Sequence, residues 1–190
     1  ALVAQLLDLA RVQATSTTAV QSPSESAPHT ASLLTLLRQV VQDSLPLAQA
    51  KNIDLGLEQS PPDAPDCSLP LPEHDLYILL KNLVDNALRY TPAGGQVDIR
   101  LQAGTDFVRL AVADNGPGIA PENRQRVLQP FYRIATQAEP GSGLGLAIVD
   151  GIAQRWALPL RLDWNDAQQA PGRQGLLVQL QLPAVFTSKI

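Results

Sequence analysis

A chain of 190 residues is long enough for one domain with a real core, and its 45% hydrophobic fraction with few aromatics makes that core aliphatic. Net charge is −4 without any run of Lys or Arg, which disfavours a nucleic-acid partner held through its phosphates. The single cysteine, Cys67, excludes an intrachain disulfide and fits a reducing compartment. No apolar run approaches the roughly 20 residues that span a bilayer, and no signal peptide is visible. Methionine is absent even at the first position, so a piece of a longer protein is the expectation.

Residues 1–13 are helix-forming, with Leu2, Leu6, Leu9 and Gln13 on one seam and Val3, Leu7 and Ala10 beside it. Residues 14–30 are rich in Ser, Thr and Pro, lack periodicity and read as a linker. The spacing of Leu33, Leu36, Leu37, Val40, Val41 and Ser44 predicts a helix over 33–50, with Ser32 as its N-cap. Residues 52–58 alternate as a strand does, and a Pro-rich turn follows over 60–66. A second helix is predicted from about Pro72, a first-turn proline, to Tyr90, ended by Thr91-Pro92-Ala93-Gly94-Gly95. Strands over 96–103 and 106–114 read as an antiparallel hairpin. Residues 115–142 form a long polar connection with Gly and Pro, the kind that is functional or mobile inside a compact domain. A helix over 144–156 and strands near 159–165 and 175–182 complete the chain. The mixture with hairpin-type pairs gives an α+β class, one sheet with helices on one face.

Three stretches carry chemistry. Asn82 and Asn86 lie four apart on the second helix and share a face, whereas Asp85 points elsewhere. An Asn carbonyl is an uncharged hard oxygen. Asn86 therefore suits Mg²⁺, which keeps waters and phosphates as further ligands, and Arg89 could reach a phosphate. A polar stripe on an exposed helix face explains the same residues equally well. Asp114-Asn115-Gly116-Pro117-Gly118 ends an alternating strand. A partly buried carboxylate there can accept a hydrogen bond from an amino group, and the glycines let backbone lie against a planar ligand. Taken alone, a hairpin turn is the better reading. Gly141-Ser142-Gly143-Leu144-Gly145-Leu146 runs from loop into helix, where free N–H groups and the helix dipole suit an anion such as a triphosphate. A lone Gly-rich turn is weak support for that. The stretch is neither a P-loop nor a dinucleotide fingerprint.

In this order the motifs carry a resemblance. The chain resembles the catalytic, ATP-binding region of bacterial two-component sensor histidine kinases, within the ATPase superfamily shared with gyrase, heat-shock chaperones and mismatch-repair proteins. Asn82–Tyr90 matches the family's N box, Asp114–Gly118 its G1 box, Phe131-Tyr132-Arg133 its F box and Gly141–Leu146 its G2 box. The likeness covers roughly residues 31–183, and residues 1–13 look like the end of the second helix of the family's dimerisation and phosphoacceptor domain. It implies a two-layer α/β sandwich of the Bergerat type, with a mixed, largely antiparallel sheet. The implied domains are the helix end 1–13, the linker 14–30 and an ATP-binding domain over 31–185 with a lid over 119–142.

The implied roles follow box by box. Asn86 would ligate Mg²⁺, with Asn82 near the phosphates and bound water. Arg89 and Tyr90 would contact phosphate and nucleotide. Asp114 would accept from the adenine amino group, selecting ATP over GTP, while Gly116, Gly118 and Ile119 would shape the adenine wall. Phe131 and Tyr132 would be the lid's apolar anchor, and Arg133 would approach the γ-phosphate. Gly141, Ser142, Gly143, Leu144, Gly145 and Leu146 would hold the lid's end against the phosphates. The superfamily's ATPases carry a Glu one turn before the metal-binding Asn. Here Asn82 stands there and cannot take a proton from water, so the implied activity is a protein-histidine kinase with Asn82, Asn86 and Arg133 as its catalytic residues. Neither His29 nor His74 has the family's phosphoacceptor context, so the acceptor histidine is expected outside this chain. The implied partners are ATP, the chain's own dimerisation domain and a response regulator. The implied setting is the cytoplasmic side of a homodimeric parent anchored in a bacterial inner membrane, this chain alone being a monomer. The alternatives are a mechanical ATPase of this fold, a serine kinase of the anti-sigma type, and a degenerate domain that binds no nucleotide. The stretch between Arg133 and Gly141 is short for the family, and Pro130 stiffens the segment before it.

Overall fold

A computed structural model of the chain describes residues 5–7, 10, 31–61, 66–134, 141–165 and 175–186. Three helices, α1 (Leu33–Ala50), α2 (Glu73–Tyr90) and α3 (Gly145–Arg155), pack with α2 between the other two. α1 starts where the sequence places it. Ser32 Oγ accepts the Thr35 N–H at 3.1 Å, and the same hydroxyl donates to the Asp66 carboxylate. Its buried stripe is Leu33, Leu36, Leu37, Val40, Ser44 and Ala48, a period that faces one layer. α2 carries Glu73 and Asp75 in its first turn and Arg89 in its last, each matched to the helix dipole. Pro72 is its N-cap and not a first-turn residue.

The main sheet has the order β2-β4-β5-β7-β6, formed by β2 (Asp54–Ser60), β4 (Gln96–Ala103), β5 (Phe107–Asp114), β7 (Leu176–Pro183) and β6 (Leu160–Trp164). β2 runs parallel to β4 and the other neighbours are antiparallel. The parallel pair follows from the crossover through α2, which returns the chain to the sheet in the same direction. The β4–β5 hairpin is the predicted one, with Leu101 opposite Leu110 and Val97 opposite Asp114. Val97, Ile99, Leu101, Leu110, Val112, Val178, Leu180 and Leu182 therefore share the face that the helices cover, in one continuous core. By the same alternation Asp114 lies on this apolar face, at its very end. That position is what makes the residue unusual.

A second small sheet, in the order β1-β3-β8, joins β1 (Ala31–Ser32), β3 (Cys67–Leu69) and β8 (Val185–Phe186). Strands of two or three residues give no period to read, and none of the three was expected. The connection after β5 is more ordered than its composition suggests. Two short 3₁₀ turns, Pro121–Asn123 and Arg126–Leu128, let Ile119 and Val127 reach the core. Of the predicted N-terminal helix, residues 5–7 and 10 are helical. The rest of it, the 14–30 linker and His29 lie outside the described residues. No helix among the described residues is long and apolar enough to cross a membrane.

Candidate functional site

One cleft of about 750 Å³, open to solvent, lies between the last turns of α2, the end of β5, the start of α3 and the segment after Asp114. The core sets which α2 residues face it. Leu83, Val84, Ala87 and Leu88 are buried, so the half-buried Asn82, Asp85, Asn86, Arg89 and Tyr90 line the cleft. Asn82 Nδ2 donates to the Ile78 carbonyl at 2.8 Å, which leaves its Oδ1 as the outward atom. A Cβ placed on Gly145, the first residue of α3, would stand 3.6 Å from Asn82 Oδ1 and 4.0 Å from Asn86 Oδ1. Two uncharged carbonyl oxygens thus converge on one gap at a helix N-terminus, and the glycine keeps that gap open. Asp85, expected to point elsewhere, also lines the cleft, because the helix turns its whole half-buried side toward it. Its carboxylate is engaged by Lys81 and lies 3.4 Å from Ser44 Oγ.

Asp114 closes the opposite end. Its Oδ1 accepts the N–H groups of Gly116 at 2.8 Å and Leu176 at 3.1 Å, which fixes the carboxylate plane and leaves Oδ2 for a ligand. The side chain is 4% exposed. Burial pushes its carboxyl up to about 6, against the lowering effect of those two N–H donors. Gly118, at φ 70°, packs where a Cβ would strike the Trp164 ring at 2.4 Å. Ile119 and Leu176 supply apolar wall.

The segment over the cleft is fastened at both described ends. Arg124 donates Nε to the Ile119 carbonyl at 3.3 Å, pairs with Asp163 at 3.0 Å and lies 5.3 Å from the Trp164 ring centre. Tyr132 packs under Arg126 and donates to Asn123 Oδ1 at 3.2 Å, while Arg133 lines the cleft beside it. Ser142 Oγ takes the Leu144 N–H at 3.2 Å and donates to Gln5 Oε1 at 2.8 Å.

Asn82, Asn86, Arg89, Tyr90, Asp114, Gly118, Ile119, Tyr132, Arg133, Ser142, Gly143, Gly145 and Leu146 all come together around this one space. Gly116, Phe131, Gly141 and Leu144 stand behind it. Gly116 orients Asp114 through its N–H, and Leu144 is wholly buried in the core. Gly141 passes so close to Arg89 that a Cβ would lie 2.9 Å from Nη1. Phe131 corrects an expectation. It is 62% exposed, with φ 63°, and is no apolar anchor; its backbone N–H donates to the Gly143 carbonyl at 3.0 Å, so the fastening is main-chain. Sequence reasoning missed Gln5, Asp85, Pro117, Val127, Ile134 and Leu176 as lining residues. Leu176 had a usable signal, as an apolar residue at the start of the strand predicted near 175–182. Gln5 had none.

No cluster of three or more His, Cys, Asp or Glu that could cage a metal occurs among the described residues. Two Asn oxygens facing one gap do fit a hard cation whose remaining ligands are waters and phosphate oxygens. Cys67 is no nucleophile, since burial pushes its thiol up to about 11.

A family model described as "Histidine kinase-, DNA gyrase B-, and HSP90-like ATPase" matches residues 72–185. The chain belongs to this family. The sensor protein kinase PmrB of Pseudomonas aeruginosa is 42% identical over 129 residues, which are 66% of this chain and 26% of that protein. The sensor protein QseC of Salmonella typhi is 41% identical over 152 residues, 80% of this chain and 31% of that protein. The chain therefore spans between a quarter and a third of these relatives. Among solved structures, the mycobacterial sensor histidine kinase MprB superposes with a TM-score of 0.71 at 26% identity, covering 85% of this chain and all of that one. Full-length ShkA in complex with AMPPNP superposes with a TM-score of 0.73 at 27% identity, covering 96% of this chain and 35% of that one. The fold is the α+β histidine kinase catalytic fold that the four motifs implied.

Proposed function

We propose that this domain binds Mg-ATP in the cleft and presents the γ-phosphoryl group to a histidine of a dimerisation domain, from which it passes to a response-regulator aspartate. The observation that carries the reading is the polarity of the cleft from end to end. A buried carboxylate with one free oxygen stands at one end, and two Asn oxygens face a helix N-terminus at the other. Adenine offers an amino donor to Asp114 Oδ2, whereas guanine offers an acceptor in the same place and is repelled. The eleven-residue α3 directs its first N–H groups and its dipole at the phosphates. Asn86, with Asn82 beside it, would hold Mg²⁺, which neutralises phosphate charge when bound. Arg133 sits on the cleft wall where a terminal phosphate would lie. Asn82 has no basic oxygen to activate water, so ATP is held for transfer and not hydrolysed. The sensor-kinase names of PmrB, QseC and MprB, and the AMPPNP complex of ShkA, support this assignment. The same relationship supports a homodimeric, membrane-anchored parent with this domain in the cytoplasm.

Calorimetric titration with Mg-ATP, with phosphate release assayed on the same sample, tests the reading. Binding with negligible release is expected. Steady turnover would reassign the domain to the hydrolytic branch of the family, and absence of binding would refute the pocket.

A further inference from the structure

Three consecutive residues at the end of β6 do not line the cleft but pack behind its Asp114 end, against Arg124, Gly118 and Asp114, and none belongs to a family motif named above. Asp163 pairs with Arg124. Trp164 packs against Gly118. Asn165, only 5% exposed, donates Nδ2 to the main-chain carbonyl of Asp114 at 2.9 Å. The Asn165 N–H in turn donates to the Gly175 carbonyl at 3.3 Å, and the Gly175 N–H donates to the Gly116 carbonyl at 3.0 Å. Gly175 makes room for this crossing. It holds φ 62°, and a Cβ there would lie 2.0 Å from the Asp114 carbonyl oxygen and 3.0 Å from Asn165 Cβ. Leu176, the next residue, gives its N–H to Asp114 Oδ1.

Asp114 is thus held by its side chain from one direction and by its carbonyl from another. The side-chain bonds set the carboxylate plane, and on the β4 side the main chain is held by the ladder, where Asp114 lies opposite Val97 and the Asn115 N–H donates to the Gln96 carbonyl at 3.2 Å. On the opposite side it is held by Asn165, whose amide reaches from the end of β6 past the start of β7 to the Asp114 carbonyl. We infer that Asn165 is a positioning residue for base selection. By holding the Asp114 backbone it keeps Oδ2 at the distance and angle that reward an amino group and penalise a carbonyl. This rests on the proposed adenine-binding role of Asp114. An isosteric Asp at 165 cannot donate, and it would set a second carboxylate against the Asp114 carbonyl.

The test compares the 190-residue chain with Asn165→Ala, Asn165→Asp and Asp114→Asn. It measures affinities for ATP, GTP and inorganic triphosphate, with a thermal melt of each variant. Expected for Asn165→Ala is a loss of ATP affinity of about tenfold, the scale of one buried hydrogen bond removed with its acceptor left unmet. GTP and triphosphate affinities should stay unchanged, so that the ATP-to-GTP preference shrinks by the same factor. Asn165→Asp, which preserves the shape, should do the same and covers the case in which the alanine variant fails to fold. A lowered melting temperature with the ATP-to-GTP ratio intact would overturn the inference, since a merely structural residue weakens every ligand alike. If Asp114→Asn itself leaves the ratio intact, the adenine role of Asp114 fails and the inference falls with it. If Asp114→Asn collapses the ratio and the Asn165 variants do not, the adenine role stands and the brace alone is rejected.

Discussion

Asn86 and Asp114 anchor the two ends of the cleft and make different demands. In the proposed site Asn86 would act through an uncharged oxygen, so Asn86→Ala removes a ligand without leaving a buried charge. Mg-ATP affinity should fall by at least about tenfold, as for lost metal contacts generally, with the melting temperature unchanged because the residue is half-exposed. Calorimetry in the presence and absence of magnesium separates this from a general loss of nucleotide binding, since magnesium-free ATP should bind both proteins alike. Asp114 would act through charge. Its folded carboxyl lies near 6 against an ordinary 3.8, so the folded protein carries a penalised carboxylate above about pH 6. That penalty corresponds to about 3 kcal/mol and is absent below about pH 4. Stability from this group therefore rises as the pH falls from 6 to 4, while the ligand needs the ionised form. Below pH 6, ATP affinity should drop by about tenfold per pH unit relative to the Asp114→Asn variant, the slope for one proton taken up. A pH series of titrations on both proteins cancels the protonation of ATP itself. A flat ratio between pH 5 and 7 would show that Asp114 does not titrate with binding.

At the scale of elements, periodicity was legible and long-range pairing was not. α1, the β4–β5 hairpin and β7 lie close to where the spacing of Leu33, Leu36, Leu37, Val97, Ile99, Val178 and Leu180 puts them, because each buries one regular face. β1, β3 and β8 were invisible because strands so short are specified by partners and not by pattern. The four boxes marked the cleft in the sequence. The residues that complete it, Leu176 and Gln5, arrive from distant segments that no local spacing connects to them. Phe131 is no apolar anchor because a motif fixes a residue type and not its burial, and here the backbone makes the contact while the ring stays exposed. The junction of loop and α3 yields a cleaner test. Gly145 has no left-handed backbone requirement, so Gly145→Ala should not weaken folding, and an alanine favours the helix. Its methyl would stand in the gap faced by both Asn oxygens. ADP and ATP should bind at least about tenfold more weakly, the scale on which a misfitting methyl is felt in a closely built site. Adenosine, held at the Asp114 end, should bind as before. Equal weakening of adenosine would place the phosphates elsewhere.

Taken as a whole, the proposed function requires the molecule to hold ATP without consuming it. The cleft offers the N-terminus of α3, a cation-compatible pair of Asn oxygens and a buried carboxylate with one oxygen turned to it. The position one turn before Asn86 is filled by Asn82, whose amide is already committed to the Ile78 carbonyl. A domain that works as proposed would keep its nucleotide until an acceptor arrives, which is what a phosphorelay requires and what a mechanical ATPase must avoid. The difference is a single atom pattern, and it can be reversed. In Asn82→Glu the carboxylate would reach the same gap beside Gly145, where the proposed function puts the phosphates. Phosphate release from Mg-ATP should then rise by about a hundredfold over the parent chain, the lower end of what a positioned general base contributes. Nucleotide affinity should change much less, because Asn86 and Asp114 are untouched. The rate should climb with pH as the new carboxyl ionises, which distinguishes base catalysis from a contaminating phosphatase. Release that stays at the parent level, with ATP still bound, would mean that the ATP-filled cleft excludes the attacking water; protection of the phosphoryl group would then belong to the segment over the cleft and not to Asn82.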